Sequence, residues 1–122
     1  MENAAVETEL FLKIKERVLE WGEAHIRNHA DYIEITKKEE DILLFDLTFP
    51  NCLGQIVVHN VSFAPYRCLS FEVMTMDTKT AIESGRPELI YFFYDSEDTP
   101  IEEMIEKLDE GVKHGMCYLP DR

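Results

Sequence analysis

Leu89 to Leu108 reads LIYFFYDSEDTPIEEMIEKL, and this stretch decides the fold. Leu89 to Tyr94 is an unbroken run of large apolar and aromatic residues, too short for a stable helix and suited to a pleated, buried surface, so it predicts a central strand. Thr99, Pro100 and Glu102 then supply a helix start: a hydroxyl at the N-cap, proline at the first helical position and a carboxylate able to reach back to the cap N–H. Ile101, Met104, Ile105, Leu108 and Val112 recur at helical spacing, which predicts a helix over Pro100–His114 with one apolar face on the sheet and Gly115 as its C-cap.

Working outward, Phe11, Ile14, Val18, Trp21 and His25 step by three and four, predicting a helix from about Glu9 to Asn28 after a loose tail over residues 1–7. Tyr32–Thr36 and Ile42–Phe49 alternate as two strands of a hairpin, joined by the charged connection KKEED. Gln55–Phe63, ended by Pro65, and Arg67–Met76 read as the third and fourth strands. Asp77–Pro87 is polar, holds Gly85 and Pro87, and reads as the long mobile loop. The whole is an α+β fold over residues 1–122 as a single domain: an N-terminal helix, an antiparallel meander sheet of four to five strands in sequential order, and a C-terminal helix, with both helices on one face. The other face then carries Tyr32, Glu34, Leu44, Asp46, Ser70, Glu72 and Met74, a mixture open either to solvent or to a partner.

The 122 residues hold 25 acids against 12 bases, a formal net charge of −13. Such a balance opposes nucleic acid and anionic lipid and favours a cationic partner. The excess is concentrated: Asp95 to Glu110 has eight acids and one base, Lys107. Asp95, Glu97, Asp98, Glu102, Glu103, Glu106 and Asp109 are therefore the candidate partner-binding surface. Acids in a first helical turn are stabilised by the helix dipole, but Glu106, Asp109 and Glu110 continue toward the end where the dipole disfavours them, which asks for a further cause.

Signals for chemistry are sparse. His25 and His29 lie four apart, yet histidines near a helix C-terminus are favoured there without any metal. His59 among valines and His114 beside Gly115 read as structural. Ser84 beside Gly85 lacks the surrounding pattern of a nucleophile elbow, and Cys52, Cys68 and Cys117 read as buried thiols, not as a disulfide framework or metal site. No phosphate-binding glycine motif is present. The expectation is no catalytic residue, no metal and no cofactor. MENAAVETEL lacks the basic flank and apolar core of a signal peptide, and no apolar run approaches the roughly 20 residues of a membrane span, so a cytoplasmic location is expected.

In size, acidity and helix–meander–helix order, the chain resembles the small immunity proteins that bacteria place beside polymorphic toxin genes. That resemblance spans the whole chain and transfers no individual residue. It implies a noncatalytic protein-binding domain, an inhibitor whose acidic surface matches a basic toxin or enzyme. The alternative is a small adaptor or secretion chaperone acting as a homodimer, and a small enzyme is third. A monomer and a homodimer are both compatible with the residues.

Overall fold

The computed structural model describes residues 2–28, 31–60, 68–96 and 98–119, with side chains from Glu9 onward. Helix α1 runs Glu2–Arg27, followed by strands β1 Ile33–Lys38, β2 Ile42–Thr48, β3 Leu53–His59 and β4 Leu69–Thr75; then come a short helix α2 Lys79–Ser84, strand β5 Glu88–Tyr94 and helix α3 Ile101–Cys117. The sheet is an antiparallel meander in the order β1-β2-β3-β4-β5. Helix α1 lies over β1 to β3 and α3 over β4 and β5, on the same face.

The alternation that predicts β2 and β4 places Leu43, Phe45 and Leu47, and Leu69, Phe71 and Val73, toward the helices, where all six are buried. The stripe of α1 meets them with Phe11, Ile14, Val18 and Trp21, while Leu10 and Ile26 on its shoulders stay exposed. Burying a side chain of this size is worth about 1.5–3 kcal/mol, so this one layer supplies most of the driving force.

Several local expectations give way to tertiary context. The tail is helical from Glu2. Lys37 and Lys38 belong to β1 beyond a register shift at Thr36, so the charged connection is shorter than it reads. Asp77–Pro87, which reads as a mobile loop, contains α2, capped by Thr78, whose hydroxyl accepts from Ala81 N at 3.0 Å, and closed by Gly85 at φ 71°, where a side chain would be strained. It has only one buried residue, Ala81, too few to leave a periodic stripe. The capping box at α3 does not form: the Thr99 hydroxyl accepts from Ser96 N at 2.9 Å instead, and the helix starts at Ile101 without a side-chain cap. Gly115 is no terminus, since α3 continues to Cys117. Tyr32 turns to the helix side and stacks on Phe49, rings 5.8 Å apart, instead of joining the outer face. The run Leu89–Tyr94 makes an edge strand, not a central one, and leaves Phe92 61% and Leu89 43% exposed. Val61, Phe63 and Pro65 lie outside the described residues.

Glycines bring the helices down onto the sheet. A Cβ on Gly22 would stand 2.3 Å from the Phe45 ring, one on Gly111 2.3 Å from Phe71 and 2.6 Å from Tyr91, and one on Gly115 2.5 Å from Phe49. Each aromatic ring thus occupies the volume a helical side chain would take. Gly111→Ala gains about 1 kcal/mol of helix propensity but forces two packed rings apart, at a cost of about 1–3 kcal/mol. The expected outcome is a lower melting temperature than wild type, with exposed Lys113→Ala unchanged; a Gly111→Ala protein melting at or above wild type would show that the rings yield freely.

Candidate functional site

The acidic stretch divides once its partners are in place. Asp95 is buried at 6% exposure: its Oδ1 accepts from Leu69 N at 2.9 Å and its own N–H donates to Leu69 O at 3.1 Å, so it closes the end of the β4–β5 ladder and has no part in an exposed surface. Glu97 lies outside the described residues. Asp109 is exposed, yet its Oδ1 accepts from the Trp21 indole N–H at 2.8 Å and so joins α3 to α1. Glu110 pairs with Lys107 at 3.4 Å. Asp98, Glu102, Glu103 and Glu106 remain exposed, and no ion pair among the described residues reaches them. The ion pairs that do occur, Arg17–Glu20, Lys37–Glu39 and Lys107–Glu110, are short-range and half-exposed, worth about 0–1 kcal/mol each. The cations of these three pairs meet near neighbours and not Asp98, Glu102, Glu103 or Glu106.

The outer sheet face is the second surface. Strand register aligns Glu34, Asp46, Gln55, Glu72 and Phe92 in one row. Asp46 is held from both sides, by the Thr36 hydroxyl at 2.7 Å and the Gln55 amide at 3.3 Å, and the Tyr94 hydroxyl donates to Glu72. Leu53, Met74 and Leu89 form a parallel apolar row over β3 to β5. Glu34, Leu44, Asp46, Ser70, Glu72 and Met74 share this face as alternation predicts. Phe92 and Tyr94 were hidden by the unbroken apolar run of β5, in which no period is visible, and counting back from Asp95 as an exposed acid would have chosen Phe93 and Tyr91 instead, because Asp95 is buried.

Of the four histidines, His25, His59 and His114 fall among the described residues. His25 Nδ1 lies 2.9 Å from Trp21 O and its ring 4.3 Å from the indole. His29 lies outside the described residues. His59 is half-buried opposite Ile42 and its backbone N–H donates to Cys68 O. His114 stacks on Tyr91 at 5.2 Å. Among the described residues, no group of three His, Cys, Asp or Glu could hold a metal ion. Cys52 and Cys68 are buried, whereas Cys117 is exposed at the end of α3, against expectation. A groove of about 380 Å³ beside the β2–β3 turn is lined by Phe49, Pro50, Cys52, Met74, Met76 and Asp77, among others. Its thiol donates to Gly115 O at 3.4 Å, and burial, then the Asp77 charge, pushes the Cys52 pKa up. That is the wrong direction for a nucleophilic thiolate. No described helix is long and apolar enough to cross a membrane. Comparison with protein-family models, curated proteins and solved structures finds no match to this chain.

Two outcomes follow for the scaffold under the ridge. Asp109→Ala leaves the indole N–H of nearly buried Trp21 without its acceptor, and chemical denaturation should register a loss of about 1–2 kcal/mol, with Asp109→Asn losing less because its amide oxygen still accepts. Tyr91 donates to Lys107 O at 2.8 Å and is pushed up to about 12 from the ordinary 10.0, by burial first and by Glu110 second. The unfolded chain releases this proton earlier than the fold does, so the contribution of Tyr91 is intact below pH 10.0 and is lost as pH rises toward about 12. Tyr91→Phe should flatten the fall in stability across that window; an equally steep fall in the variant would assign the alkaline loss to other groups.

Proposed function

We propose that this protein is a noncatalytic binding domain for a basic protein, most concretely an immunity-type inhibitor of a basic toxin or enzyme acting in the bacterial cytoplasm. One observation carries the reading: Asp98, Glu102, Glu103 and Glu106 stand exposed on and before a packed helix, and no ion pair among the described residues offsets them. The helix beneath is fixed by buried Met104, Leu108 and Val112, so the charges are presented without reorganisation. A cationic partner gains long-range attraction before contact, which raises the association rate and makes it salt-dependent. The net charge of −13 adds to the same field.

A homodimeric adaptor or chaperone is the second reading, favoured by the exposure of Phe92 and Leu89 on β5. Sedimentation at micromolar concentration separates the two: a stable dimer supports the adaptor, a monomer the inhibitor.

The direct test reverses charge on the ridge. Glu102→Lys/Glu103→Lys/Glu106→Lys should slow association with a basic partner captured from native extract by about tenfold at low salt. The difference should close as salt is raised. Stability should fall by no more than about 2 kcal/mol, the dipole stabilisation lost from the two first-turn acids Glu102 and Glu103. Glu9→Lys/Glu16→Lys/Glu83→Lys makes the same change in net charge at exposed sites elsewhere. If both triple variants associate at the same rate, the ridge is not the docking surface.

A further inference from the structure

The outer face of the sheet is striped across its strands. Glu34 on β1 stands directly opposite Asp46 on β2, and the same row continues through Gln55 to Glu72 and Phe92. Beside it, Leu53, Met74 and Leu89 make an apolar row, and Leu53 and Met74 also line the groove that takes in Met76. Leu53, Met76, Leu89 and Phe92 are all exposed, and α1 and α3 both lie on the opposite face. Like charges directly opposite one another on two strands are destabilising, so the Glu34–Asp46 pair is a cost that folding by itself does not return. Among the described residues, the donors that reach Asp46 and Glu72 are neutral: the Thr36 hydroxyl at 2.7 Å and the Gln55 amide at 3.3 Å on Asp46, and the Tyr94 hydroxyl on Glu72. A carboxylate has about four acceptor positions, so these bonds fix its direction, keep its charge and leave positions for a cation.

We infer that this outer face docks an amphipathic basic helix of a partner protein, with apolar side chains on the Leu53–Met74–Leu89 row and arginine or lysine over Glu34, Asp46 and Glu72. The rows cross strands about 4.8 Å apart, and a helical turn advances about 5.4 Å, so successive turns meet successive strands. A helix of roughly 13 residues reaches from β1 to β5. The apolar row supplies contact area, and charge selects the occupant. A second copy laid face to face brings three more carboxylates into the contact, while Lys37, the cation that the register places on this face, is already paired with Glu39. Carboxylates taken out of water without a cation are costly. Nucleic acid and anionic lipid carry the same sign as this face. Because α3 lies on the other side of the sheet, this contact goes beyond the proposed function and does not depend on the α3 acids.

The probe is a synthetic peptide helix of leucine, lysine and alanine, with leucines at i, i+3 and i+7 and lysines along one flank, titrated into the full chain. Saturable binding is expected. A peptide of the same composition with its leucines spread around the helix should bind about tenfold more weakly, because the charge is kept and the apolar stripe is lost. Leu53→Ser/Phe92→Ser, at two exposed positions, should weaken binding of the striped peptide by about tenfold. Glu34→Lys should weaken it as well and melt no lower than wild type, since the change removes a like-charge pair and so separates lost binding from lost folding. Glu102→Lys/Glu103→Lys/Glu106→Lys makes a larger change in net charge on the opposite face and should keep most of the binding. Equal binding of the two peptides, an α3 variant as weak as the outer-face variants, or no saturable binding overturns the outer-face site. A dimer of the free chain that Leu53→Ser/Phe92→Ser dissolves gives the face to a second copy and overturns the chosen occupant.

Discussion

The close seating of sheet aromatics against helical glycines is the contact on which the rest depends. Phe45 fills the space beside Gly22, Phe71 and Tyr91 that beside Gly111, and Phe49 that beside Gly115. Gly111 and Gly115 lie four apart, on the face that also buries Met104 and Leu108. Helix α3 is therefore fixed in height and rotation over β4 and β5, and its carboxylates point where that rotation sends them. Phe71 and Tyr91 meet edge to face at 5.6 Å, and Tyr91 in turn holds the Lys107 carbonyl, so ring geometry and a hydrogen bond agree on one orientation.

This fixed helix sorts one acidic run into two chemical classes. Asp95 and Asp109 are spent inside the protein, one on the β4–β5 backbone and one on the Trp21 indole. Asp98, Glu102, Glu103 and Glu106 are exposed and meet no ion-pair partner among the described residues. A carboxylate already accepting a hydrogen bond offers less to a partner, because displacing the internal donor offsets the gain. The exposed acids of α3 and the exposed Phe92 and Leu89 of β5 both belong to the part of the molecule built from β4, β5 and α3.

Helical and strand stripes were readable because both are local. The spacing of Phe11, Ile14, Val18 and Trp21 survives into the structure as a buried face, and the alternation of Leu69, Phe71 and Val73 does the same. Failures occur where a residue's neighbour decides its state. Thr99 has the right spacing for a cap, but Ser96 takes its hydroxyl. Gly115 looks like a terminus in a sequence, whereas in the fold it is space for Phe49. Tyr32 falls one residue before β1; its carbonyl accepts from Thr48 N at 2.7 Å, but stacking on Phe49 turns its ring inward. Helix α2 buries one side chain only, so no stripe announces it.

By itself, then, the chain's pattern determined the α+β class, the number and order of the main elements, the meander and the layer of apolar residues between sheet and helices, since these follow from periods of two and of 3.6 residues acting within a few turns or strand lengths. Only tertiary structure decided that the apolar run Leu89–Tyr94 is the last strand in the sheet order, and which carboxylates are held by hydrogen bonds within the fold. The reason is distance along the chain: Asp95 is set by Leu69, 26 residues away, and Asp109 by Trp21, 88 residues away. No local period carries that information.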